Sequence, residues 1–118
     1  MKVHLTRDSV ANGDDAYPKE LIVSNDAGLA EILRVVSHSN FLASISGGKA
    51  TWTIVSRIPI AVVAQQWGEP KMLMPVPSLS SLNFSGNELS MHFEYRVQQD
   101  PNLVYEEFQR VHSRHSYR

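Results

Sequence analysis

Five histidines, a scatter of carboxylates and one glycine–lysine turn are the side chains of this sequence best equipped to ligate or react. His112 and His115 stand three apart, with Glu106 and Glu107 about one helical turn earlier. Imidazole and carboxylate together can hold zinc. This spacing matches no established zinc signature, however, and histidines near a helix C-terminus complement its dipole without an ion. His4 and His92 fall at polar positions of alternating strands and His38 at a helix end, so all three read as surface residues. A hydroxyl–imidazole–carboxylate set can be drawn from the many serines in dozens of ways, and no nucleophile sits in a G-x-S-x-G elbow. Ser46-Gly47-Gly48-Lys49-Ala50-Thr51 has the composition of a phosphate loop. That motif needs G-x-x-x-x-G-K-[ST] between a strand and a helix. Here a strand follows, and the segment reads as a hairpin turn. The sequence predicts no catalytic residue, no metal and no cofactor.

Two other features point to recognition. Trp67, beside Gly68-Glu69-Pro70 at the end of an apolar run, has the character of an interface anchor, the alternative being closure of one end of the core. Asp8, Asp14 and Asp15 form an acidic patch on the first hairpin, where a basic partner would meet them. Asp8, Asp14, Asp15, Trp67 and Glu69 are therefore the candidate partner-binding residues.

Composition narrows the class. At 118 residues with 42% hydrophobic content the chain fits one domain with a real core. Lysine and arginine number 11 against 12 acidic residues, a net charge of -1, and the balance is even in both halves. A nucleic-acid binder relies on phosphate contacts and carries a basic excess, so no such partner is expected. The absence of cysteine excludes disulfides, thiolate metal sites and a cysteine nucleophile. The opening Met1-Lys2-Val3-His4-Leu5-Thr6 has no apolar leader, and no run approaches a membrane span. A cytoplasmic protein without membrane partners is expected.

The elements that must carry these residues follow from periodicity. Met1, Val3 and Leu5 alternate with polar residues as a half-buried strand, and 20–24 reads as its hairpin partner across a long acidic loop. Asn25 or Asp26 can cap a helix over 26–38, with Leu29, Ile32, Leu33 and Val36 as its apolar stripe. Phe41 to Ile45 and 50–55 read as strands. Arg57-Ile58-Pro59 reads as an interruption before Ile60 to Gln66, an apolar run suited to a strand buried on both faces. Lys71 to Met74 adds a short edge strand. Leu89, Met91, Phe93, Tyr95 and Val97 give the clearest alternation in the chain, paired with 82–84 through Ser85-Gly86-Asn87-Glu88. Asp100-Pro101 opens a final helix of about three turns, with 112–118 as a frayed tail. The fold class is thus α+β: a mixed or antiparallel sheet of five to seven strands on one central helix, with an added C-terminal helix.

The order of elements over the first 55 residues resembles the β-grasp fold of ubiquitin-like domains: strand Met1-Lys2-Val3-His4-Leu5, strand Glu20-Leu21-Ile22-Val23, then the helix at 26–38. Conjugation of the ubiquitin kind requires a Gly-Gly C-terminus, whereas this chain ends Ser116-Tyr117-Arg118. In overall character, rather than in any motif, the chain resembles bacterial toxin-immunity proteins of the contact-dependent growth inhibition kind. That resemblance implies a non-catalytic protein that occludes the active site of a cognate toxin, a nuclease being the partner an acidic surface suits. The alternative is an accessory or regulatory interaction domain encoded by a phage or an operon, and after that a small enzyme.

Overall fold

The computed structural model describes residues 1–8, 18–39, 50–73, 79–96 and 99–116, with the backbone alone for 111–116. Along the chain come β1 (Lys2–Arg7), β2 (Lys19–Ile22), α1 (Leu29–Ser37), β3 (Thr51–Ser56), β4 (Ile58–Ala64), β5 (Lys71–Met72), β6 (Phe84–Ser85), β7 (Glu88–Tyr95) and α2 (Pro101–Ser116). The strands form one mixed sheet in the order β2-β1-β7-β3-β4-β5, with β6 also paired to β7. The protein is therefore α+β, with a seven-stranded sheet and two helices among the described residues. No described helix is long and apolar enough to cross a membrane.

The best alternating segment of the sequence becomes the middle of the sheet. β7 takes β1 in parallel, from Lys2 opposite Glu88 to Arg7 opposite Phe93. It takes β3 antiparallel, from Val55 opposite His92 to Trp52 opposite Tyr95, and β6 at Leu89 and Glu88. The β6–β7 hairpin closes through Gly86 and Asn87, whose φ values of 59° and 60° give the doubly left-handed turn that suits strand twist.

Strand register sends Val3, Leu5, Leu89, Met91, Phe93, Trp52, Ile54, Ala61 and Val63 to one face, all buried. There they meet Leu29, Ile32, Leu33 and Val36, the predicted stripe of α1. Each such side chain contributes about 1.5–3 kcal/mol when fully buried. The opposite face is divided. Val62 and Leu73 pack against Val104 of α2, with Trp67, Tyr105 and Phe108 partly buried around them. Beyond that patch β1 and β7 present His4, Thr6, Ser90 and His92, which are only partly buried. Among the described residues the buried hydroxyls of Thr51, Thr53 and Ser56 each have a partner. Thr51 Oγ1 donates to Gln99 O at 2.8 Å, Arg96 Nε donates to Thr53 Oγ1 at 3.1 Å, and Ser56 Oγ donates to Ser90 O at 2.7 Å.

Several boundaries differ from those the sequence predicts. α1 begins after Gly28, with no side-chain cap. Asn25 and Asp26 instead sit in a turn in which Ala27 N donates to Ser24 O and Asp26 N to Ser24 Oγ, so they cap nothing. Arg57-Ile58-Pro59 does not separate β3 from the next strand by a loop. Arg57 alone, at φ 70°, reverses the chain, and Pro59 lies in β4 opposite Val55, where the register shifts. A bulge is one of the places where a strand tolerates proline. β2 is shorter than 20–24 and begins at Lys19. α2 starts as predicted, with Asp100 Oδ1 accepting from Asn102 N at 2.9 Å ahead of Pro101. It is helical through Ser116, further than three turns, because no glycine or proline interrupts 102–116. The 41–45 strand and the turn at 46–49 lie outside the described residues.

Candidate functional site

Among the described residues, two buried side-chain polar atoms lack a hydrogen bond, Trp52 Nε1 and His4 Nδ1. Buried polar groups are normally satisfied, so each exception requires an explanation. They lie in different regions.

Trp52 sits in β3 opposite Val63 and Tyr95. Its ring is tilted against that of Tyr95, with centroids 4.8 Å apart. It lines a cleft of about 330 Å³ whose walls include Ser37 and His38 from the end of α1 and Gln65, Trp67 and Glu69 from the β4–β5 connection. Trp67 is half-buried, packed against the α2 patch. Lys71 Nζ lies 4.5 Å from its ring centroid and 5.6 Å from that of Tyr105, a cation–π arrangement that fixes the indole from one side. Glu69 is 61% exposed and meets Arg34 Nε at 3.7 Å, a surface pair of little energetic weight. The cleft therefore offers aromatic surface and an exposed carboxylate.

The second region is the polar face over β1 and β7. Thr6 and His92 are direct cross-strand partners, and Thr6 Oγ1 lies 2.7 Å from His92 Nδ1. His92 Nε2 is 2.8 Å from Asp8 Oδ1, and Asp8 Oδ2 accepts from Tyr95 N at 3.0 Å. Asp8 accepts from Nε2; at Nδ1 a neutral His92 accepts from the threonine hydroxyl and a protonated one donates to it. Partial burial works against the Asp8 carboxylate, but the hydrogen bonds from His92 and Tyr95 N–H, with the charges of His92 and Arg96, outweigh it and lower its pKa. Such a chain can move a proton off Thr6. Hydrolytic use would further require donors for an oxyanion; the second oxygen of Asp8 is spent on fastening the end of β1 to β7. One step along the face, His4 Nδ1 lies 3.7 Å from Glu20 Oε1, and His4, Glu20 and Glu88 bring one ligand atom each within 4.8 Å of one another.

The predicted partner-binding residues are partly reunited. β4 runs antiparallel to β3, and β3 antiparallel to β7, which is parallel to β1. Asp8 after β1 and Trp67 after β4 thus share one end of the sheet, three strand spacings or about 14 Å apart. Asp8 is held by hydrogen bonds, whereas Glu69 is open. Asp14 and Asp15 lie outside the described residues, as do the side chains of His112 and His115. Sequence reasoning missed Trp52, His38 and the Thr6–His92–Asp8 chain, since their neighbours come from distant elements. The one available signal was the phase of Lys2, His4 and Thr6 with Ser90 and His92, which fits a shared polar face once β1 pairs with β7.

No protein-family model, curated protein or solved structure matches this chain.

Proposed function

We propose that this chain acts by binding another protein, and that it is a bacterial immunity protein which neutralises a toxin in the cytoplasm by covering its active site. The observation that carries this reading is the cleft of about 330 Å³ lined by Trp52, Trp67 and Glu69. An inserted side chain can fill it, and tryptophan-lined pockets ringed by polar groups are where interface energy concentrates. A standard interface covers about 800 Å² on each partner, enough to take in both Glu69 and Asp8 around that anchor. Acidic groups suit a partner whose own cleft is positive because it holds phosphate, as in a nuclease.

The fold resemblance belongs to the same proposal. A β-grasp reading draws support from β1 and β7, which lie side by side and parallel at the middle of the sheet, with β2 beyond β1, β3 and β4 beyond β7, and α1 across one face. β5, β6 and α2 are additions to it.

The test uses the product of the adjoining open reading frame, expressed with and without this chain. Growth arrest should be relieved by the wild type, and surface-plasmon kinetics should show faster dissociation for Trp67→Ala and slower, less salt-sensitive association for Glu69→Ser. Relief and rates unchanged in both variants would move the binding face elsewhere. A neighbour that arrests nothing would leave the regulatory-domain reading in its place. The Thr6–His92–Asp8 chain favours an enzymatic reading in one respect, and His92→Ala separates the two: it leaves toxin binding intact here and abolishes turnover there.

A further inference from the structure

The second unsatisfied atom leads away from the cleft. His4 sits in β1 between two strands that each place a carboxylate beside it. Glu20 is its register partner in β2, and Glu88 in β7 is the partner of Lys2, one diagonal step away. Alternation turns all three to the polar face, opposite α1. The His4 ring is partly exposed, but its Nδ1 is shut off from solvent, accepts no hydrogen bond and makes none. Glu20 Oε1 lies 3.7 Å from it, beyond hydrogen-bond range. That separation is close to the distance between two ligand atoms that share one metal ion.

We infer that His4, Glu20 and Glu88 form a binding site for a borderline divalent cation of the zinc class. One imidazole nitrogen and two carboxylate oxygens make a mixed donor set: imidazole favours zinc and its neighbours over magnesium or calcium, and carboxylates are accepted by all of them. Ligand atoms around a tetrahedral zinc are roughly 3.4 Å apart, from bonds of about 2.0–2.2 Å. The three atoms here lie within 4.8 Å of one another, so small rotations of the exposed Glu20 and half-buried Glu88 close the set. Water completes the coordination. The resident competitor is Lys2, whose Nζ lies 3.7 Å from Glu20 Oε2. That pair is about half exposed on both sides, so Lys2 can swing into solvent at little cost. The ligands come from three adjacent strands, so the ion would tie β2, β1 and β7 together and stabilise the folded chain by mass action.

The experiment is a calorimetric titration of the full chain with zinc chloride, with magnesium chloride as the control. It is followed by dialysis, metal analysis and thermal melting. One equivalent of zinc should bind and raise the melting temperature, and the His4 ring resonances should shift. His4→Ala and Glu20→Gln should each weaken binding by roughly tenfold or more; Glu20 is exposed, so its variant keeps the fold. Lys2→Met should tighten binding by removing the competing ammonium, and His112→Gln with His115→Gln should leave it unchanged. Absence of stoichiometric binding overturns the site. So does binding that survives Glu20→Gln, or that disappears with the His112 and His115 pair.

Discussion

The two faces of the sheet are built from the same strands by the same alternation, yet they serve different ends. Toward α1 the buried positions are mostly apolar, and the core is continuous from Val3 to Val63. On the reverse, apolar residues persist only at β4 and β5 under α2, and polar groups take over at β1 and β7. Among the described residues the polar groups of the first face lie at its margins, as where Lys19 Nζ donates to Ser39 O at the end of α1. The second holds both histidines of the central strands, the Thr6–His92–Asp8 chain and the His4–Glu20–Glu88 set. Stability thus resides chiefly on one side, which frees half of the other side to carry groups that a core would reject.

This division makes graded predictions. Leu33, buried at 1% exposure in the α1 stripe, should cost about 2–5 kcal/mol on change to alanine. A loss under about 1 kcal/mol in urea titration would mean that the α1 face is not the main core. Val104→Ala, in the smaller cluster, should cost about 1.5 kcal/mol for two methyl groups. If it matched Leu33→Ala, the two faces would be energetic equals. Asp8→Ala should cost about 1 kcal/mol, because the site is half exposed and water softens the lost bonds. The lowered pKa of Asp8 fixes the sign of its pH dependence. Its contribution is complete above the unfolded value of 3.8 and is lost as the pH falls through the lower native value. The difference in stability between wild type and Asp8→Ala should therefore vanish in acid; a gap that persists well below that range would mean the carboxylate is not the cause. Smallest of all, Arg34→Ala should alter stability by less than about 0.5 kcal/mol, since its pair with Glu69 is solvent-exposed on both sides.

Elements whose signal is local were legible from the sequence. The Leu89–Tyr95 alternation, the Gly86–Asn87 turn, the Leu29–Val36 stripe and the Asp100–Pro101 start each arise from neighbours a few residues apart, and the structure has them all. Boundaries slipped where two local options compete. Asn25 and Asp26 suit a turn as well as a cap, and Arg57 makes in one residue a reversal that Ile58-Pro59 suggested would be a loop. The sites were less legible, because their members meet only through sheet order. Thr6, His92 and Asp8 span 86 positions, and His4, Glu20 and Glu88 come from three strands. His112 and His115 drew attention to metal binding by spacing alone, whereas the set with a suitable geometry has no sequence spacing to notice. Trp67 packs against the α2 cluster and also lines the cleft.

The parallel pairing of β1 with β7 also sets a timetable for synthesis. On a ribosome β1 and β2 emerge early and can join as a hairpin, but the strand that covers the other edge of β1 lies 86 residues downstream. Until β7 is made, β3 and β4 likewise have no neighbour on the side that faces β1. Contacts this distant in sequence slow folding, since the loop between them must close before any pairing energy is gained. A nascent chain halted just before Glu88 has every flanking strand of the sheet and no centre. Such a species is a ready client for a chaperone, and it reaches its native state only once β7 has emerged.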